Sequence, residues 1–231
     1  MNFSIIIPVY NENENILKLI EEITISINDY KDYEIIIIDD GSTDDSNIII
    51  NKILKNYPTI DIVNVRNKKN MGQSYSIKKG IEKAKYDCIV TIDGDLQNDP
   101  KDIPLLLKIY FNEKTLKLVG GIRKNRKDSN IKKIASIIAN KFRMFILNDD
   151  CIDTGCSLKV FDKNIFLKFP YFNGIHRFLP ALFKGYKFKT KFVNVSHRQR
   201  VYGKSNYKNL PRLVRGIIDI YRVLKIINKL K

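Results

Sequence analysis

Asp93, Asp95 and Gln97 recur at alternate positions directly after the apolar run Ile89-Val90-Thr91-Ile92, with Gly94 between the two carboxylates. On an extended backbone, residues at i, i+2 and i+4 point to one side. The spacing therefore predicts two carboxylates and an amide oxygen gathered at a strand end. Hard oxygen ligands of this kind suit Mg2+ or Mn2+, which commonly share one or two carboxylates with substrate phosphates. A D-x-D by itself is more often a solvated turn. Here two other strand ends are also polar: Phe3 to Val9 runs into Tyr10-Asn11-Glu12, and Glu34 to Ile38 runs into Asp39-Asp40-Gly41-Ser42-Thr43-Asp44. Three such ends in a basic chain are hard to explain as helix caps alone.

The elements that must hold these residues are visible as periodicity. Phe3 to Val9 is a strand, and Ile16, Leu19, Ile20, Ile23 and Ile27 then recur at helical spacing. Asn11 or Asn13 is placed to cap that helix, with Glu14 completing a box. Four consecutive isoleucines, Ile35 to Ile38, predict a strand buried on both faces. Ser42 or Thr43 is placed to cap the next helix, which Pro58 closes. Ile60 to Val65 is a third strand, Gly72 leads into a helix to about Ala84, and the Ile89 strand follows. This β-α alternation predicts a mostly parallel sheet with helices on both faces, and ligands in such sheets bind beyond the carboxyl ends of the strands. The second half predicts a helix from Asp99-Pro100 to Phe111, a strand at Leu118 to Arg123, a helix over 131–147, a helix from His176 to Lys184, and a strand near Phe188 to Val195.

The 231 residues carry a net charge of +16, which predicts an anionic partner: nucleic acid, a membrane surface or a phosphorylated substrate. No recognition helix, aromatic RNA-binding motif or zinc finger accompanies the charge, so nucleic acid is set aside. The three cysteines form no zinc pattern and read as reduced structural thiols. The first residues read as a strand rather than a signal peptide. No apolar run approaches the roughly 20 residues that span a bilayer.

Taken in order, Pro8-Val9-Tyr10-Asn11-Glu12, Asp39-Asp40-Gly41-Ser42-Thr43-Asp44 and Asp93-Gly94-Asp95-Leu96-Gln97 resemble family 2 glycosyltransferases with the GT-A (Rossmann-like) fold. Gly121-Ile122-Arg123, Asp153-Thr154-Gly155-Cys156-Ser157 and the run from Arg200 to Tyr207 are similar to the branch that includes dolichyl-phosphate mannosyltransferase and its polyprenyl-phosphate relatives. The resemblance implies that Pro8, Tyr10, Glu12, Asp39, Asp40 and Asp93 hold the nucleotide sugar. It implies that Asp93, Asp95 and Gln97 hold Mg2+ or Mn2+, and that Arg123, Lys132, Ser136, Arg200 and Ser205 bind the acceptor phosphate. Lys132 stands where the branch has arginine, which loses a bidentate fork. Asp93, Asp95, Arg123 and Arg200 are then the expected catalytic set. Asp153 is an orienting carboxylate, with general base as the alternative.

The function implied is inverting, metal-dependent transfer of a sugar, GDP-mannose by default as donor, to a polyprenyl or dolichyl phosphate. A phosphate monoester is already an anion and needs cationic steering rather than a base. The alternatives are a family 2 transferase acting on a hydroxyl of a lipid-linked glycan, and a non-catalytic basic membrane or nucleic-acid binding module. Residues 1–206 are expected to form the GT-A domain and residues 207–231 an amphipathic C-terminal helix. In that helix Leu210, Leu213, Val214, Ile217, Tyr221 and Leu224 make one apolar stripe, with Lys208, Arg212, Arg215, Arg222 and Lys229 on the other side. The helix either docks on the domain or lies in the bilayer interface. A cytoplasmic protein, peripheral at the cytoplasmic face of an anionic membrane, is expected, with a small membrane protein as a further partner in place of the relatives' transmembrane helices.

Overall fold

The computed structural model describes residues 1–124, 140–200 and 209–229. The chain runs β1 (Phe3–Val9), α1 (Ile16–Ser26), β2 (Tyr33–Asp39), α2 (Ser46–Asn56), β3 (Asp61–Arg66), α3 (Gln73–Lys83) and β4 (Cys88–Thr91). It continues with a 3-10 turn (Pro100–Asp102), α4 (Ile103–Asn112), β5 (Leu116–Arg123) and the helical residues 140–147 as α5. Then come β6 (Lys159–Asp162), α6 (Lys163–Phe166), α7 (Leu179–Gly185), β7 (Lys189–Val195) and α8 (Asn209–Asn228).

The strands form one seven-stranded sheet in the order β3-β2-β1-β4-β6-β5-β7. The β1–β2, β1–β4, β2–β3 and β5–β7 pairs are parallel, and β6 runs antiparallel to both its neighbours. The sheet is thus mostly parallel, as expected. The sequence reading contains no β6: a strand of four residues is too short for alternation to reveal it.

Helices cover both faces because the inner strands are apolar on both. Ile35 and Ile37 of β2 join one core with Phe3, Ile5 and Ile7 of β1 and with α1, α2 and α4. Ile36 and Ile38 join the opposite core, with Ile6, α3, α7 and α8. The period of two along a strand does this sorting. The helix α3 approaches the sheet closely at Gly80, where a Cβ would meet Ile38 Cδ1 at 2.6 Å and Ile6 Cγ2 at 2.8 Å. That approach seats α3 directly on β1 and β2.

The C-terminal helix α8 packs through Val223 and Ile227, both buried. Gly185 at the end of α7 admits Ile227, whose Cγ1 would lie 2.5 Å from any Cβ there. The expected stripe is split: Leu224 packs against the same core, whereas Ile217 and Tyr221 are 57% and 68% exposed, beside Ile218 at 52%. The helix carries two apolar faces, and the domain takes the one that contains Val223.

Candidate active site

β1 lies between β2 and β4, so the strand order reverses there, and ligands of such sheets bind beyond the carboxyl ends at that point. Val9 stands level with Asp39, and Asp40 N donates to Val9 O at 2.8 Å. The polar residues that follow tie the two loops to each other. Asn11 N donates to Ser42 Oγ at 3.0 Å, Thr43 N to Asn11 Oδ1 at 2.9 Å, and Glu12 N to Ser46 Oγ at 2.9 Å. This corrects the expected caps. The N-cap positions are Asn15 and Asp45, neither with a side-chain capping bond. Asn11, with φ 57°, turns toward the neighbouring loop instead of its own helix.

Asp39 and Asp40 are both buried. Asp40 accepts from Asn67 Nδ2 at 2.7 Å, Met71 N at 2.9 Å and Gly72 N at 2.8 Å, so its carboxylate holds the loop that starts α3. Asp39 Oδ1 accepts from Ser42 N at 2.8 Å. Its Oδ2 has no hydrogen-bond partner among the described residues, although Arg66 Nε stands 3.2 Å away. Gly41, directly after Asp40, has φ +72°, and a Cβ would lie 2.6 Å from the carbonyl carbon of Lys69. Only glycine allows the loops to pass this closely.

The segment after β4 turns rather than extending, so the alternate-side expectation does not describe it: β4 ends at Thr91, and Leu96 has φ 60°. The turn buries Leu96 and still brings the polar residues together. Asp95 is buried and its Oδ1 accepts from Gln97 N at 3.2 Å. Asp93 Oδ1 accepts from Gln73 Nε2 at 2.7 Å, and Asp93 N donates to Ser157 Oγ at 3.3 Å. Burial first, and then the charge of Asp95, pushes the Asp93 carboxyl up to about 6, against the pull of Ser157, Lys159 and Arg123. Burial also raises Glu12. A Cβ on Gly94 would meet Pro8 O and Val9 Cγ2 at 3.3 Å, which packs this turn against β1.

Two arginines close the site. Asn98 bridges to His197, and Arg198 N donates to Gln97 O at 2.8 Å, so the segment after β7 is stitched to the carboxylate turn. Arg200 Nη2 then lies 2.5 Å from Asp95 Oδ2, and its Nη1 3.5 Å from Glu12 Oε1. At the end of β5, Arg123 forks onto Asp153 through Nε (2.8 Å) and Nη2 (2.7 Å), and its backbone N adds a bond of 3.1 Å to the same carboxylate. Gly155 lets the guanidinium in: a Cβ there would be 2.8 Å from Arg123 Nη2.

Glu12, Asp93 and Asp95 crowd together, and a cation, Arg200, stands against two of the three. Among the described residues no group of three or more His, Cys, Asp or Glu side chains is placed to hold a metal ion by itself. Asp93, Asp95 and Gln97 are a smaller, all-oxygen set, of the kind that Mg2+ would complete with water and phosphate oxygens.

Pro8, Tyr10, Glu12, Asp39, Asp40, Asp93, Asp95 and Gln97 all come from the ends of β1, β2 and β4, and Arg123 and Asp153 from the neighbouring end of β5 and the loop before β6. Lys132, Ser136 and Ser205 lie outside the described residues. The sequence reading missed Gln73, Lys159 and Arg143. Lys159 is 3% exposed, and its Nζ donates to the Cys156 carbonyl. Arg143 is buried and forks onto Asp149 at 3.1 and 3.0 Å, with Thr154 Oγ1 at 2.8 Å. It holds the loop that carries Asp153. The signal of Lys159 and Arg143 lay in being charged inside apolar stretches, which one sequence does not separate from a solvated face.

Comparisons with known proteins bear on the family and the fold. Residues 4–169 match the family model for Glycosyl transferase family 2. The chain is 34% identical over 229 residues to dodecaprenyl-phosphate galacturonate synthase of Rhizobium johnstonii, covering 97% of this chain and 67% of that protein. It is 33% identical over 222 residues to undecaprenyl-phosphate 4-deoxy-4-formamido-L-arabinose transferase of Yersinia pestis, with 96% and 67% covered. Among solved structures, glucosyl-3-phosphoglycerate synthase from Mycobacterium tuberculosis, in complex with Mn2+, UDP and its product, superposes with a TM-score of 0.68 at 17% identity, covering 96% of this chain and 78% of that one.

Proposed function

Because the chain belongs to glycosyltransferase family 2, we propose that it transfers a sugar, with inversion, from a nucleoside diphosphate sugar to the phosphate of a polyprenyl phosphate. The relatives named for polyprenyl-phosphate sugar transfer support this acceptor. The observation that carries it is the state of Asp153. Transfer to a hydroxyl needs a base within reach of the proton, and Asp153 is the carboxylate on the acceptor side. It is committed to Arg123 by three bonds. A phosphate acceptor needs no base, and the arginines supply what it does need.

In this reading the loops after β1 and β2 seat the nucleoside. Asp39 offers its buried Oδ2 to a base N–H, and Asp40 keeps the Met71-Gly72 backbone in place as a wall. Asp93, Asp95 and Gln97 would hold a divalent cation, and that cation would neutralise the departing diphosphate as a Lewis acid. Arg123, anchored by Asp153, and Arg200, beside Asp95, fix the acceptor phosphate by charge-assisted hydrogen bonds. Lys132, Ser136 and Ser205 belong to the same proposed acceptor set. Among the described residues no helix is long and apolar enough to cross a membrane. Contact with a lipid acceptor is assigned to the exposed face of α8 on an anionic membrane surface, with the cytoplasmic face and a small membrane partner as parts of the same proposal.

The sugar is the finer question. GDP-mannose follows from the resemblance, while the two relatives are named for galacturonate and formamido-arabinose. The test is incubation of the full chain with Mg2+ or Mn2+, a short polyprenyl phosphate and a panel of GDP- and UDP-sugars, with mass spectrometry of the lipid phase. A sugar–phospholipid that disappears in Asp95→Ala supports the reading. Sugar on a hydroxyl acceptor, with none on lipid phosphate, overturns it.

A further inference from the structure

We propose that Gln73 is a positioning residue for Asp93, orienting the carboxylate through one oxygen while leaving its charge for a divalent cation. This rests on the metal role given above to Asp93 and Asp95. Gln73 Nε2 donates to Asp93 Oδ1 at 2.7 Å, from the first residue of α3.

Gln73 is held from both ends of its short segment. On the donor side, Asp40 accepts from Met71 N and Gly72 N. On the other side, the buried Ser74 accepts from Gly174 N at 2.7 Å and stands 2.6 Å from His176 Nδ1. Gly72 has φ +90°, which lets the chain turn abruptly from the Asp40 bonds into the helix. The amide therefore reaches Asp93 from a fixed base. Across the carboxylate, Ser157 accepts from Asp93 N and donates to Asn98 Oδ1 at 2.6 Å, so the main chain of Asp93 is anchored as well.

The residue type matters. A carboxylate that is to bind a metal must be oriented without losing its charge. A lysine or arginine in the place of Gln73 would orient it and also compete with the metal, as Arg200 does at Asp95. A neutral amide donor orients and leaves the charge intact. Buried positive charge is supplied at greater distance: Lys159 lines the same small pocket as Gln73, Ser157 and His176, with its Nζ bound to the Cys156 carbonyl. Outer partners of metal-binding side chains commonly contribute 10- to 100-fold in metal affinity.

The test is Mn2+ binding by the full chain, followed by electron paramagnetic resonance in the presence of UDP or GDP, beside the thermal unfolding of the metal-free protein. Gln73→Ala is expected to weaken Mn2+ about tenfold and to leave metal-free unfolding unchanged. If Gln73→Ala lowers the unfolding temperature, Gln73→Met, which keeps length and loses the amide, carries the comparison. Wild-type affinity in the folded variant overturns the role while leaving the metal site standing. A wild-type chain that takes up no Mn2+ with either nucleotide overturns the metal reading, and the role with it.

Discussion

Arg200 places Nη2 2.5 Å from Oδ2 of Asp95, so an arginine expected to bind acceptor phosphate stands against a carboxylate expected to bind metal. The two roles are linked by charge. A divalent cation at Asp95 releases the guanidinium, and a released guanidinium is available to an anion. We predict that Arg200→Ala binds Mn2+ several-fold more tightly without acceptor, yet transfers sugar to lipid phosphate about a hundredfold more slowly. Isothermal titration and turnover, measured on one preparation, check both halves. Unchanged Mn2+ affinity would mean that the pair does not compete with metal.

Asp93 gives a pH prediction. Burial raises its carboxyl from the ordinary range to about 6. A raised acid binds more protons folded than unfolded, so its effect on the metal-free protein runs opposite to that of a salt-bridged aspartate. It favours the fold below pH 4, and that contribution is lost as pH rises toward 6. Metal binding needs the ionised form, so Mn2+ affinity should fall as pH drops through 6. Unfolding temperature against pH, with and without Mn2+, should show metal stabilisation growing from pH 5 to 7. Equal stabilisation at both ends would place the Asp93 titration elsewhere.

Gly41→Ala tests the loop crossing. Its φ of +72° and the 2.6 Å approach to the Lys69 backbone leave a methyl group nowhere to go. Strain of this kind costs on the order of 1–3 kcal/mol. It falls on the loop that seats Asp39 and Asp40, so urea unfolding should shift and nucleotide affinity should drop with it. A variant with wild-type stability would remove the crossing from the account.

Much of this site was legible in the chain because strands that are buried on both faces announce themselves. Ile35 to Ile38 mark β2 unmistakably, and once the parallel order is set, Asp39 and Asp93 must share an edge. The caps were misread for a physical reason: Asn11 and Ser42 are good cap residues, and across the loop gap they found other backbone N–H groups first. The stripe of α8 was read correctly as apolar, but the docking face is set by the fit of Ile227 against Gly185, which no periodicity contains. Gln73 was invisible because its partner is 20 residues away in the chain.

Arg143 and Asp149 form a buried pair, with side chains 4% and 1% exposed. Removing one partner of such a pair leaves a charge without compensation and costs about 3–5 kcal/mol. Arg143→Ala should therefore lower stability strongly, and the loop through Asp153 should loosen with it, raising the KM for acceptor. Denaturant midpoints and acceptor saturation curves check the two effects. A change below about 1 kcal/mol would show that the pair is hydrated rather than buried.

The helix α8 has two unlike faces. One face, through Val223 and Ile227, is part of the core, so deleting the helix would expose the domain and confuse any binding result. The other face offers Ile217, Ile218 and Tyr221 to solvent, and Arg215, Arg222 and Lys225 are exposed on the same helix. Exposed apolar area flanked by basic residues favours an anionic bilayer interface, where each Lys or Arg near the surface adds about 1 kcal/mol. Because Ile217 and Tyr221 are exposed, Ile217→Asp with Tyr221→Asp should leave unfolding unchanged. The same pair should weaken partition onto phosphatidylglycerol vesicles at least tenfold, which corresponds to about 1.4 kcal/mol. Flotation of both proteins with anionic and with neutral vesicles measures it. Equal flotation of variant and wild type would mean that α8 meets the acceptor membrane by another surface, or not at all.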